Sequence, residues 1–279
     1  MDKKKLKNKD ANDLTFLEHL ELLRGHLLRS IASVGVFAVV VFIFTKFIFD
    51  HILLAPKSVD FFTNRMFCKI GQWAHTDKLC INDIPLQLIN IEMAGQFRIN
   101  MTIALYGGLI LAVPYVLWEL YRFIMPALKS TERKYSRGMV FYTTLLFMLG
   151  VLFGYFMIVP LTLNFLGGYS VSSEILNQIT LKSYIGIISS LVFASGLIFE
   201  LPILVYFLSK VGIITPGFMR KYRKHALIVI LIIAGIITPP DIFSQIMVTI
   251  PMYALFEVSI FISARIEKER DAREAAESV

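Results

Sequence analysis

The stretch ALIVILIIAGIITPPDIFSQIMVTIPMYALFEVSIFIS, residues 226–263, decides how many times this chain crosses a membrane. It is apolar enough to be one very long helix, but Pro239 and Pro240 stand side by side in it. Two adjacent prolines remove two backbone donors and bar the preceding residue from helical geometry. The stretch therefore reads as a hairpin of two shorter helices, 226–238 and 242–263. The first would reach only about 20 Å, short enough to thin the bilayer beside it. Working outward, four further apolar stretches are each long enough to cross about 30 Å of hydrocarbon: 27–49, 99–118, 139–165 and 184–209. The expectation is an all-α membrane protein, one polytopic domain over 1–279 with six transmembrane helices, the last two of them short.

Six spans put both termini on one side, and the basic residues say which. Of the 28 Lys and Arg, 21 fall in the N-terminal tail through Arg29, in 122–137, in 210–224 and in the tail from Arg265. The opposite side carries the other 7 even when Lys46 and Arg98 are counted with it. The excess of positive charge marks the cytoplasmic side, so the N- and C-termini are expected to be cytoplasmic. Residues 1–26 then form a cytoplasmic tail and lead-in, 50–96 a long outer loop, and 265–279 a second cytoplasmic tail. The apolar run 27–49 is too long for the core of a cleavable signal peptide and no small-residue cleavage site follows it, so it reads as an uncleaved first span.

The composition, 56% apolar with a net charge of +7, excludes most other classes. The basic residues sit in short clusters between apolar runs, without the basic and aromatic interleaving of a nucleic-acid platform. The five histidines, His19, His26, His51, His75 and His225, lie outside or at the ends of spans. There is no H-E-x-x-H, no Walker-type loop and no G-x-S-x-G elbow. No catalytic residue, metal site or cofactor is expected.

Four groups of residues carry the remaining chemistry. Residues 15–30, TFLEHLELLRGHLLRS, open with Thr15 and Glu18 in capping-box spacing and carry Leu17, Leu20, Leu23 and Leu27 as a helical stripe. An amphipathic helix leading into the first span is expected. The connection WELYRFIMPALKSTERKYSR, 118–137, sets Glu132 among Lys129, Arg133, Lys134 and Arg137. That carboxylate either neutralises its neighbours or accepts a bidentate guanidinium, and the pattern fits both. Within the spans, Glu200 precedes Pro202 by two residues and Glu257 lies near the cytoplasmic end. A carboxylate at a helix centre costs roughly 2.5–3.5 kcal/mol, so Glu200 is expected to face protein or water and to serve a function. Cys68 and Cys80, the only cysteines, fall in the outer loop, where an oxidising compartment permits a disulfide; two free thiols are the alternative.

Several of these segments together resemble the twin-arginine translocase C subunit family, TatC. The matching pieces are FLEHLELLR at 16–24, YRFIMPALKSTER at 121–133, GLIFELP at 196–202, TPPDIFSQ at 238–245 and IPMYALFE at 250–257. Their order and spacing cover nearly the whole chain. The resemblance implies a cupped bundle in a bacterial cytoplasmic (inner) membrane. It would bind twin-arginine signal peptides and recruit single-span TatA/TatB-type subunits, with further copies of itself, to export folded proteins on the proton motive force. It places the signal-reading aromatic and acid on Phe123 and Glu132, with Arg24, Glu21 and His19 on the N-terminal helix beside them. The buried acid falls on Glu200. Partner-subunit contacts fall on Thr238, Asp241 and Gln245.

The chain departs from the family pattern in two places. Where the family has a second acid in H-L-E-E-L-R, this chain has Leu22, which leaves Glu21 as the acidic contact. Ahead of the second span, Gln96, Phe97 and Thr102 replace the usual Pro, Phe and Lys pattern. The competing reading is an ion-coupled secondary transporter with Glu200 as its proton site, which shares the bundle but predicts a small solute and no peptide. A scaffold without a ligand of its own predicts neither.

Overall fold

A computed structural model of the chain describes residues 16–73, 75, 87–124, 136–172, 174, 178–238 and 241–277. In chain order the elements are α1 (Phe16–Ile43), α2 (Phe62–Trp73), β1 (Leu88–Ile89), α3 (Gly95–Ile124), α4 (Ser136–Phe153), α5 (Val159–Gly168), β2 (Ile179–Thr180), α6 (Leu181–Phe199), α7 (Leu201–Lys210), α8 (Pro216–Lys221), α9 (Arg223–Ile237) and α10 (Ile242–Glu277). A helical turn at Thr45–Phe47 and a π turn at Ile48–Leu53 follow α1. A second π turn, Gly154–Ile158, joins α4 to α5. The fold is almost wholly helical; the exception among the described residues is a two-residue parallel ladder that pairs Leu88 with Ile179 and Ile89 with Thr180.

Among the described residues, five stretches are long and apolar enough to cross a membrane: Leu20–Ile43, Gly95–Phe123, Gly138–Gly168, Leu181–Lys210 and Ser244–Ala272. The first half of the two-proline hairpin, α9, has 15 residues, about 22 Å of helix and short of the 30 Å of hydrocarbon. The expectation that both last helices are short fails for α10, which runs for 36 residues. Its apolar part gives way after Ser263 to ARIEKERDAREAAE, made largely of strong helix formers. An Arg265–Glu269 pair four residues apart supports this part. The residues read as a tail from Arg265 are thus the last turns of the same helix.

The chain packs as two compact units, Met1–Ile48 with Glu92–Leu145, and Phe49–Ile91 with Leu146–Val279. In the first, α1 and α3 lie along each other and close to contact of their backbones. A Cβ added at Gly108 would stand 2.5 Å from the Ala38 backbone nitrogen, and Ala112 is wholly buried. Small residues at such crossings are how membrane helices gain packing contacts when lipid offers no hydrophobic drive.

In the second unit, a Cβ at Gly150 would meet the Ser195 carbonyl at 2.6 Å, which brings α4 against α6. A buried hydroxyl pair, Ser209 to Ser263 at 2.8 Å, ties α7 to α10. Proline explains both interruptions of long spans. Pro160 cannot donate to the Phe156 carbonyl four residues back, and that carbonyl accepts the Thr63 hydroxyl from α2. Pro202 ends α6 in the same way, and Glu200 sits in the break between α6 and α7 with φ −78° and ψ −6°. The segment after the first span is pinned by Tyr155 and Tyr184, whose hydroxyls donate to the carbonyls of Ile52 at 2.7 Å and Leu53 at 2.8 Å.

Candidate functional site

The densest polar cluster of the first unit sits near the C-terminal end of α3. Glu119 faces α1, 1% exposed, and its carboxylate accepts from His26 Nδ1 on that helix. The Tyr115 hydroxyl donates to the same carboxylate at 3.2 Å. Arg29 Nε stands 3.5 Å from one oxygen and Arg122 Nη1 3.7 Å from the other. A buried carboxylate is tolerated only when its lone pairs are filled by donors in good geometry. Four groups from two helices fill them here, which fixes the register of α1 on α3. The Phe123 ring lies edge-on to His26, with centroids 6.0 Å apart. Phe123 is half-buried, at the point where α3 runs out toward the connection that holds Glu132.

Among the residues expected to read a signal, Phe123 is therefore brought against α1, while Glu21 and Arg24 are exposed on α1 itself. Leu22 is half-buried on the side of α1 that carries His26 four residues on. The acid that remains, Glu21, is exposed on α1. Glu132 and the side chain of His19 lie outside the described residues. Sequence reading missed Glu119, His26 and Arg29. Glu119 sits in the quoted stretch WELYRF, and an acid in the last turns of an apolar span is the signal that could have found it.

The second unit holds the intramembrane candidates. Both oxygens of Glu200 are buried and have no hydrogen-bond partner among the described residues, and the same is true of the hydroxyls of Thr162 and Ser195. A cavity of about 420 Å³ is lined by Thr162, Leu166, Ile187, Ser190, Leu191, Ala194, Ile236, Ile237 and Thr238. Glu200 does not line it.

The residues expected to contact partner subunits finish the facing ends of α9 and α10, and one of them, Gln245, bonds across the hairpin. The Thr238 hydroxyl donates to Ala234 O at 2.8 Å, Asp241 caps α10 by accepting from Ser244 N at 2.8 Å, and Gln245 Nε2 reaches Leu231 O at 3.1 Å. At the other end Glu257 accepts from Arg223 at 2.7 Å and from Tyr253 at 3.0 Å. Cys68, on α2, is disulfide-bonded; Cys80 lies outside the described residues. No group of three or more metal-ligating side chains is found among the described residues.

Comparison with known proteins agrees with this arrangement. The family model "Sec-independent protein translocase protein (TatC)" matches residues 18–251. The Sec-independent protein translocase protein TatC of Blattabacterium sp. subsp. Periplaneta americana (strain BPLAN) is 40% identical over 263 residues, covering 94% of this chain and 99% of its own. That of Desulforapulum autotrophicum is 34% identical over 266 residues, with 94% and 90% covered. A crystal structure of the twin arginine translocase receptor TatC superposes with a TM-score of 0.66 at 33% identity, covering 88% of this chain and 97% of that one. A second, in DDM, gives a TM-score of 0.68 at 32% identity, with 88% and 99% covered. The family model runs from α1 to Pro251 in α10 and takes in the Glu119 cluster and the turn between α9 and α10, so this chain, a multi-pass membrane protein, belongs to the TatC family of Sec-independent protein translocase components.

Proposed function

We propose that this chain is the signal-reading core subunit of a twin-arginine translocase in a bacterial cytoplasmic membrane. It binds the paired-arginine signal peptides of folded cargo and, with single-span TatA/TatB-type subunits and further copies of itself, passes that cargo outward on the proton motive force. The observation that carries the reading is Phe123, half-buried and edge-on to His26, at the end of a helix locked to α1 through Glu119. A flat aromatic surface packs well on an arginine side chain. Glu132, nine residues on, supplies a carboxylate that a guanidinium can grip with two parallel bonds. Glu21 and Arg24, exposed on α1, complete a mixed-charge rim.

The 21 to 7 division of basic residues supports six spans, with α9 as the short one and both termini cytoplasmic. Single-cysteine labelling in a variant lacking Cys68 and Cys80 tests the orientation. Position 132 should react only from the cytoplasmic side, and reaction with an impermeant reagent from outside contradicts it.

Glu200 acts within the membrane, away from signal reading. An intramembrane carboxylate with no partner is held at a cost, which is recovered if it meets a polar group of the signal peptide or of a partner helix. Export of a folded cargo behind a paired-arginine signal tests both the function and this role. Wild type should export it and a paired-lysine version should not pass. Glu200→Ala should lower export with peptide binding intact, and Glu200→Gln should retain it because the amide keeps shape and hydrogen bonding. Loss in both variants would mean that the carboxylate must titrate, which makes Glu200 a proton relay in export rather than a polar contact. Full export by both would remove Glu200 from the mechanism, and export of the paired-lysine cargo would contradict the function itself.

A further inference from the structure

The helix α2 presents three different faces. Thr63, Asn64, Phe67 and Gly71 are buried. Phe67 packs against Leu161, with Met157 and Met247 beside it, and Thr63 donates to Phe156 O. On the adjoining face, Phe62, Met66, Ile70 and Trp73 follow one another at helical spacing. Phe62 is 67% exposed, Ile70 45% and Trp73 85%. On the far edge of that stripe stand Arg65 and Lys69, both exposed, with no side-chain partner among the described residues.

The depth of this helix follows from what its inner face touches. Phe156–Leu161 lie 7 to 12 residues inside the Gly168 end of the span Gly138–Gly168, about 10–18 Å along the axis. That span's 31 residues run about 46 Å. Centred on about 30 Å of hydrocarbon, it leaves about 8 Å clear at each end. The α2 helix thus lies at and just below the hydrocarbon edge, the depth at which amphipathic helices rest in an interface. Its apolar stripe also continues an exposed apolar surface of that span, for Phe62 meets the Phe156 ring edge-on at 6.3 Å and Phe156 is itself 38% exposed.

We propose that α2 is an interfacial helix that immerses Phe62, Met66, Ile70 and Trp73 in the lipid leaflet at the Gly168 end of the span, while Arg65 and Lys69 meet the phosphates of anionic headgroups. Acyl chain covers the stripe, the indole of Trp73 takes the interfacial position that tryptophan favours, and the two cations add attraction to an anionic surface. The outer-loop segment is then anchored twice, by its buried face to α5 and by its stripe to lipid.

The test uses the full-length protein. The chain has two tryptophans, so Trp118→Phe leaves Trp73 as the sole indole. In vesicles of phosphatidylcholine and phosphatidylglycerol, lipids brominated high on the acyl chain should quench its emission at least twofold. Aqueous acrylamide should quench it several-fold less than free N-acetyltryptophanamide. Arg65→Glu with Lys69→Glu should weaken the lipid quenching when phosphatidylglycerol is present; unchanged quenching would overturn the role of the cations. Acrylamide access equal to the free indole with no effect of brominated lipid would put the stripe in water and overturn the proposal. An indole shielded from both quenchers would mean that protein covers it, which overturns the proposal as well.

Discussion

His26→Leu should destabilise the protein by about 3 kcal/mol, the largest loss expected from any single change in the first unit. Removing one partner of a buried charged group typically costs about 3–5 kcal/mol because that charge is left uncompensated. Glu119 is 1% exposed. The low end of the range applies because Arg29 and Arg122 remain 3.5 and 3.7 Å away. Replacing both members by leucine removes the orphaned charge, so His26→Leu with Glu119→Leu should recover most of the loss. Thermal unfolding of the purified protein in one detergent, run as a double-mutant cycle, measures this. Equal stability of His26→Leu and wild type would mean that the cluster does not hold α1 on α3.

Glu132→Ala should weaken binding of a paired-arginine peptide by one to two decades. A charge-assisted hydrogen bond is worth about 1.5–3 kcal/mol, and each 1.4 kcal/mol is a factor of ten in affinity. Thermal stability should stay within about 0.5 kcal/mol of wild type, because the role proposed for this carboxylate is in peptide binding. Titration of the detergent-solubilised protein with labelled peptide reads the affinity. Glu132→Asp should fall between wild type and Glu132→Ala, since it keeps the charge and shortens the reach. Unchanged affinity in Glu132→Ala would move recognition to another acid, with Glu21 on α1 the next to examine.

The parts of the fold that follow from local chemistry were legible in the sequence. The long apolar runs appear as helices, the lead-in merges with the first span as α1, and α9 ends at Ile237 just ahead of the paired prolines. Pro202 explains why the fourth span breaks at Glu200, where sequence reading had one continuous span. The length of α10 was missed because the apolar signal stops at Ser263 whereas helix propensity does not. The Glu119 cluster was missed for a different reason: His26 and Glu119 are 93 residues apart. No spacing rule links them; only the packing of α1 on α3 does. Thr238, Asp241 and Gln245, expected to contact other chains, each also bond within α9 and α10. Polar residues in an apolar segment reveal that a partner is needed without revealing whether it is internal.

The proposal stands on signal reading at the end of α3, and site-specific crosslinking measures that most directly. A photo-reactive phenylalanine at position 123, in membranes containing the full-length protein, should crosslink a paired-arginine signal peptide. The yield should drop at least tenfold when the two arginines are replaced by lysines or when Glu132→Ala is present. Efficient crosslinking of the paired-lysine peptide, or none of the paired-arginine peptide while cargo is still exported, would contradict recognition at Phe123.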